Sequence, residues 1–129
     1  MNRFAPPPDN LRHFALFCEN CHQDVGEEFG YDTRLIAYGV SWFFYSDPHE
    51  AKTILDELKA LKTDTDFHAA QEISTRSDIY MVTEGREREG IDKITEAIER
   101  RLKDDPQNYI EANRGLARYK RDIRESARK

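Results

Sequence analysis

The fold class depends on one apolar stretch, Leu35-Ile36-Ala37-Tyr38-Gly39-Val40-Ser41-Trp42-Phe43-Phe44-Tyr45. Aromatic and β-branched residues dominate it, and the turn-forming sequence Ser46-Asp47-Pro48 follows. This composition favours a buried β-strand, because such residues pack well on a pleated surface. A nearly continuous apolar run shows no clear period, however, so a helix stays open as the alternative.

Capping signals predict a helix directly after this stretch. Asp47 caps it, Pro48 takes the first helical position, and Glu50 completes a capping box. Another helix is predicted over about 89–103, where isoleucines and a leucine recur at three- and four-residue spacing. These two helices carry the clearest patterns in the chain.

Two further helices are predicted toward the ends of the chain. A proline-rich arm over 1–8 leads into an N-terminal helix over 9–25, which Gly26 ends. A basic C-terminal helix covers 106–129, with Asp105 as its cap and proline at its first position. Both helices would lie outside a core formed by residues 34–103.

Residues 67–83 are predicted to form a hairpin. Its arms would be 67–74 and 79–83, joined by a turn over 75–78, and the second arm is rich in strand-forming residues. The turn lacks an Asn-Gly or Asp-Gly pair, so a single helix through the segment is the rival prediction.

The order strand, helix, strand, strand, helix over 34–103 is that of a split βαβ unit. We therefore expect an α+β protein, with a small antiparallel sheet and one extra helix at each end of the chain. The alternative is an all-α helical bundle, because four of the six segments are already predicted helices. At 129 residues, we expect 1–129 to form a single domain.

Composition excludes several classes of protein. The chain is 38% hydrophobic and 35% charged, and its 7 Phe, 6 Tyr and 1 Trp are too many for a disordered chain. No stretch approaches the roughly 20 apolar residues that a transmembrane helix needs. No apolar run follows Arg3, so a signal peptide is not expected. We expect a cytoplasmic protein with no membrane contact.

Charge is distributed unevenly. The net charge is −5, yet residues 114–129 carry seven basic and two acidic side chains, which leaves −10 on the other 113 residues. The C-terminal helix either lies against its own acidic body or presents a partner-binding face. The candidate partner-binding residues are Arg114, Arg118, Arg121 and Arg124. Nucleic acid is a weaker expectation, because an acidic chain repels phosphates at long range.

The sequence Cys18-Glu19-Asn20-Cys21-His22 is the chemically suggestive cluster. Two thiols at this spacing can share a metal ion or form a redox pair, so Cys18, Cys21 and His22 are the candidate ligands of a zinc ion. No second cysteine pair exists, and other histidines would have to complete the site. The alternative is that both cysteines continue the apolar stripe of a helix and pack in the core.

Motifs that would identify an enzyme fail at specific positions. Gly85 and Gly90 have the spacing of a phosphate-binding loop, but Ile91 and Asp92 stand where Lys and Ser or Thr are required. We therefore predict a non-enzymatic protein-binding module: a regulator, adaptor, inhibitor or antitoxin- or immunity-like partner. An exposed aromatic patch would mark its interface. The alternatives are a metal- or thiol-dependent protein and nucleic-acid contact through the C-terminal helix.

Overall fold

A computed structural model describes residues 6–45 and 47–127, and these residues contain helices and no β-strand. A short 3-10 helix (Asp9–Leu11) leads into seven α-helices. In chain order they are α1 (Arg12–Glu19), α2 (Gln23–Phe29), α3 (Thr33–Phe43), α4 (Pro48–Lys59), α5 (Asp64–Ser74), α6 (Glu87–Asp104) and α7 (Tyr109–Ala127). The predicted α+β fold is therefore wrong, and the all-helical alternative is the observed architecture.

Residues 35–43 of the stretch belong to a helix rather than a strand. Asp32 caps α3, because its carboxylate accepts a hydrogen bond from the Arg34 amide at 2.8 Å. Every residue of 35–41 is buried, since α3 packs against α2, α6 and α7. A helix that is covered on all sides is apolar on all sides, so its sequence has no visible period. Burial thus explains the composition that suggested a strand.

Gly39 allows α2 to approach α3 closely. A Cβ atom added at Gly39 would lie 2.6 Å from Cε2 of Phe29, which is too short for any real contact. The aromatic ring therefore occupies the space that a side chain would take. Gly26, predicted to end the N-terminal helix, lies inside α2 instead. The predicted 9–25 helix is divided between the 3-10 helix, α1 and α2.

The predicted hairpin over 67–83 is also wrong. Its first arm belongs to α5, which begins with a capping box between Thr63 and Asp66. Its second arm has no regular structure, and the hydroxyl of Ser74 accepts hydrogen bonds from the amides of Met81 and Val82 at 3.2 and 3.1 Å. The buried Ser74 hydroxyl thus supplies the hydrogen-bond acceptor that a neighbouring strand would otherwise provide. The second arm packs closely against α6 at Gly90, where a Cβ atom would lie 2.9 Å from the Cα of Val82.

The remaining helix predictions are confirmed in outline. Asp47 caps α4 by accepting from the His49 amide at 2.9 Å, and α6 covers the predicted 89–103 helix. The C-terminal helix begins later than predicted, because Asn108 caps α7 while Asp105 ends α6 in a left-handed conformation. The first five residues of the predicted arm lie outside the described residues, as do Arg128 and Lys129 of the basic helix.

Candidate protein-docking surface

Aromatic rings from α3 and α7 stack where the end of one helix meets the start of the other. Trp42 and Phe43 meet edge to face with ring centroids 4.3 Å apart. The ring of Tyr109 lies 5.0 Å from Phe43 and 6.1 Å from Trp42. Phe29 supports the group from beneath, 5.1 Å from Phe43. These distances are those of favourable aromatic pairs, so the rings hold one another in place.

Large apolar side chains at this junction are exposed to solvent. Phe44 is 49% exposed, Tyr109 58% and Ile110 64%. Trp42 and Phe43 are half-buried beside them. We call these five residues the aromatic patch. Isolated apolar residues are normal on a protein surface, but several large ones at one helix junction make a candidate binding surface.

Two capping arrangements set the position of the aromatic patch. Arg101 of α6 donates hydrogen bonds to the carbonyls of Ser41 and Tyr45, at 3.2 and 3.1 Å, and so satisfies the end of α3. Asn108 accepts from the Glu111 amide at 2.9 Å and so starts α7. Between the two helices, the Trp42 indole donates a long hydrogen bond of 3.5 Å to the Pro106 carbonyl.

The four predicted partner-binding arginines lie on the exposed side of α7. Arg114, Arg118 and Arg121 stand at positions i, i+4 and i+7, which places them on one face. We call these three residues the arginine row, and Arg124 lies beside it. The opposite face carries the buried side chains Ala112, Leu116 and Tyr119. Within residues 6–45 and 47–127, no ion pair shorter than 4.0 Å involves any of the four arginines.

The α6–α7 turn joins the arginine row to the aromatic patch. A cleft of about 270 Å³ is lined by Asp104, Pro106, Glu111, Arg114 and Arg118. Pro106 also accepts the hydrogen bond from Trp42, so it borders both the cleft and the patch. Pro106 therefore lies between the packed rings and the cleft that holds Arg114 and Arg118.

Partly buried pairings at the cleft use carboxylates that form no ion pair with the arginine row. Asp104 accepts hydrogen bonds from the Tyr38 hydroxyl at 3.0 Å and from Arg100 at 3.2 Å. Arg100 also pairs with Asp122 of α7 at 2.8 Å. Burial and the neighbouring Asp104 raise the pKa of Tyr38, so its hydroxyl stays protonated. The C-terminal helix thus pairs with the body through Asp122, while its arginine row faces outward.

Comparison with known proteins gives this surface no established role. No protein-family model matches the chain, and no curated protein or solved structure matches it either. Among the described residues, no helix is long and apolar enough to cross a membrane.

The cysteine cluster lies in the core. Cys18 and Cys21 are free thiols, 2% and 1% exposed. Burial raises the pKa of both, that of Cys21 to about 12, so neither is a thiolate at neutral pH. His22 is half-buried and precedes α2. In the part of the chain that the structure describes, no three or more His, Cys, Asp or Glu side chains are placed to hold a metal ion. The zinc site stays a prediction without geometric support there.

A separate groove of about 290 Å³ lies between α1 and α4. Its lining is formed by His13, Leu16, Tyr45, His49, Glu50, Thr53 and Ile54. At its edge, Glu57 accepts hydrogen bonds from the amides of His13 and Phe14, at 3.1 and 2.8 Å, and so caps the start of α1. Glu57 also pairs with the His13 ring at 2.7 Å. These contacts are explained by the need to satisfy a helix end.

Sequence reasoning missed the contribution of α7 to the aromatic patch. The Tyr109 ring packs on Trp42 and stays largely exposed, and no pattern in the sequence places the two residues together. Ile110 falls outside the buried face of α7 and is 64% exposed. An isoleucine that stands off the apolar stripe of the helix, in its first turn, is the signal that was present in the sequence.

Proposed function

We propose that this protein is a non-enzymatic protein-binding module, acting as a regulator, adaptor or inhibitor, and that it docks its partner on the aromatic patch. One observation carries the proposal: Trp42, Phe43 and Tyr109 pack together where α3 meets α7, and Phe44, Tyr109 and Ile110 expose about half or more of their area there. Aromatic residues are enriched at the buried centres of protein interfaces, where a few of them supply most of the binding energy.

The rigidity of the patch supports this role. Trp42 is restrained by its contacts with Phe43, Tyr109 and the Pro106 carbonyl. Aromatic side chains that are ordered before binding lose little conformational entropy when a partner covers them. The helix ends beneath them are capped, so backbone polar groups at both ends have hydrogen-bond partners. A preformed surface of this kind suits binding without a large change of shape.

A reducing compartment is proposed as the place where the protein acts. Cys18 and Cys21 are both buried as free thiols. Free thiols persist in the cytosol, whereas oxidising compartments favour disulfides. The proposed location is therefore cytoplasmic.

Site-specific photo-crosslinking tests the docking site. A benzophenone amino acid is placed at Phe44 in one variant and at Leu16 in another, because both residues are 49% exposed. Each purified variant is irradiated in lysate from the cells that make the protein. We expect a discrete protein adduct from position 44 that disappears in a Tyr109→Ser/Ile110→Ser background, and none of comparable yield from position 16.

Two outcomes would overturn the proposal. An adduct from position 16 alone would place docking in the groove between α1 and α4, which Leu16 lines. No adduct from position 44, with circular dichroism showing a folded helical variant, would remove the aromatic patch as an interface. Thermal unfolding of the Tyr109→Ser/Ile110→Ser variant controls for loss of fold, because Tyr109 also makes ring contacts with Trp42 and Phe43.

A further inference from the structure

The exposed face of α7 presents apolar and cationic groups in a fixed order. Ile110 of the aromatic patch precedes Arg114 by four residues, and Arg118 and Arg121 follow. Residues at this spacing lie on one face and succeed one another by about 4.5–6 Å along the helix axis. A partner lying along this face meets an apolar side chain first and then successive guanidinium groups.

The arginine row is available to a partner. All three of its residues are exposed, and the described residues place no carboxylate within 4.0 Å of their guanidinium groups. The nearby Asp104 is occupied by Tyr38 and Arg100. Glu111, which also lines the cleft, accepts a hydrogen bond from the Gln107 amide at 2.8 Å. The carboxylates of the cleft are therefore engaged within the protein, whereas its two arginines face solvent.

We infer that the partner presents an acidic peptide segment, in which one apolar side chain covers the aromatic patch and carboxylates bind the arginine row. The inference rests on the proposed function, since it names the chemistry of the partner at that same surface. Planar guanidinium groups bind carboxylates through paired hydrogen bonds. Carboxylates spaced by two residues in an extended segment, or by four in a helix, match the roughly 6 Å between Arg114 and Arg118.

Charge favours an acidic peptide over a nucleic acid. Residues outside 114–129 carry a net charge of −10, which repels a polyanion that extends beyond the arginine row. Acidic side chains also lie within and beside the row, at Glu111, Asp122 and Glu125. A short acidic segment can end before it meets this negative charge, whereas a nucleic acid strand carries charge at every phosphate.

Selection from a displayed library of random short peptides tests the inference with the full chain. Three variants are compared with the wild-type protein. Arg114→Glu/Arg118→Glu reverses the charge of the row, and Ile110→Ser removes the apolar anchor. Arg12→Glu/Lys62→Glu is the matched control, because it changes net charge equally at exposed positions on α1 and after α4. Binding of a labelled oligouridine RNA is measured in parallel, at several salt concentrations.

We expect the wild-type protein and the control to select peptides with an apolar residue and at least two carboxylates at these spacings. The affinity of a selected peptide should fall on the order of tenfold in Arg114→Glu/Arg118→Glu, and the loss should shrink as salt rises. Ile110→Ser should weaken the same peptide with little salt dependence. Circular dichroism verifies that each variant remains helical.

The experiment separates failure of the acidic-peptide inference from failure of the proposed docking site. Selected peptides that depend on Ile110 but have no acidic bias, and bind Arg114→Glu/Arg118→Glu equally well, would overturn the inference and leave the proposed function standing. Failure to select any peptide that depends on Ile110 would overturn both. Oligouridine RNA that binds through Arg114 and Arg118 more tightly than any selected peptide, with a steep salt dependence, would make the face a nucleic-acid surface instead.

Discussion

The guanidinium Nε of Arg101 donates a hydrogen bond to the main-chain carbonyl of Ser41 at 3.2 Å, from a side chain that is 1% exposed. Its second contact, to the Tyr45 carbonyl at 3.1 Å, lies beyond the last turn of α3. The positive charge of Arg101 therefore lies at the C-terminus of α3, which is the negative end of the helix dipole. Most of α3 is buried. Because α3 ends there, Trp42, Phe43 and Phe44 emerge at the surface.

Replacing Arg101 should destabilise the fold. We expect Arg101→Met to lower the free energy of unfolding by about 2–4 kcal/mol, because it leaves buried carbonyls without a donor while keeping much of the side-chain volume. Urea unfolding followed by circular dichroism measures the change. Arg114→Met is the control, and its effect should stay within about 0.5 kcal/mol because Arg114 is exposed. Equal effects of the two substitutions would show that Arg101 has no structural role.

Local capping signals explain which helices could be predicted. Asp47 and Pro48 mark the start of α4 within a few residues of sequence, and the structure places both as predicted. The stretch in α3 could not be assigned by period, because burial on all sides requires apolar residues on all sides. Asp32 was the sequence signal for a helix here, because aspartate is a preferred helix cap. An apolar run of eleven residues is also longer than most strands.

The candidate surface depends on contacts between distant parts of the chain. The arginine row could be identified from spacing alone, because a helix repeats about every 3.6 residues and the basic residues share one face. The contact between Trp42 and Tyr109 could not, since it joins residues far apart in sequence. Whether an aromatic side chain is buried or exposed depends on such long-range packing, which no local pattern reports.

Gly115 should be intolerant of alanine, and a change at Tyr38 should restore tolerance. A Cβ atom at Gly115 would overlap the Tyr38 hydroxyl, while the ring carbon behind it stays at 3.4 Å. We expect Gly115→Ala to cost about 1–3 kcal/mol in the wild-type background. In Tyr38→Phe, which removes the hydroxyl, the same substitution should cost less than 1 kcal/mol, or stabilise through helix propensity.

A double-mutant cycle measured by urea unfolding tests this coupling. The two single variants and the double variant are compared with the wild-type protein. Tyr38→Phe alone should cost about 1 kcal/mol, because it removes the hydrogen bond to Asp104. A cycle in which the two costs simply add would contradict close contact between Gly115 and the hydroxyl.

Stability should fall at alkaline pH through the buried thiols and phenols. Burial raises the pKa of Cys21 from 9.0 to about 12, and that of Tyr45 from 10.0 to about 12. Because the folded-state pKa exceeds the unfolded-state value, the folded state favours the protonated groups. Their contribution is complete below about pH 9 and is lost as pH rises toward 12. Urea unfolding at several pH values measures the loss, which should be smaller in Cys21→Val.

The two cysteines should be protected from modification until the protein unfolds. We expect native Cys18 and Cys21 to react with a thiol reagent at neutral pH no faster than the chain opens, because both are buried and protonated. The reaction is followed by absorbance, with the urea-unfolded chain as the reactive control. Rapid modification of the native protein, or a melting temperature that rises with added zinc, would favour the metal or thiol alternative.

Trp42 should report docking directly, because it is the sole tryptophan of the chain and lies in the aromatic patch. Its indole is half-buried in the free protein, so acrylamide should quench its fluorescence to an intermediate degree. An apolar side chain placed over the patch should reduce this quenching and shift the emission to shorter wavelength, because it removes water from the ring. Titration of the protein with a peptide selected through Ile110 measures both changes.

The Ile110→Ser variant should require more peptide to reach the same shift, whereas Leu16→Ser should behave like the wild-type protein. Binding that leaves the quenching of Trp42 unchanged would place the peptide away from the aromatic patch.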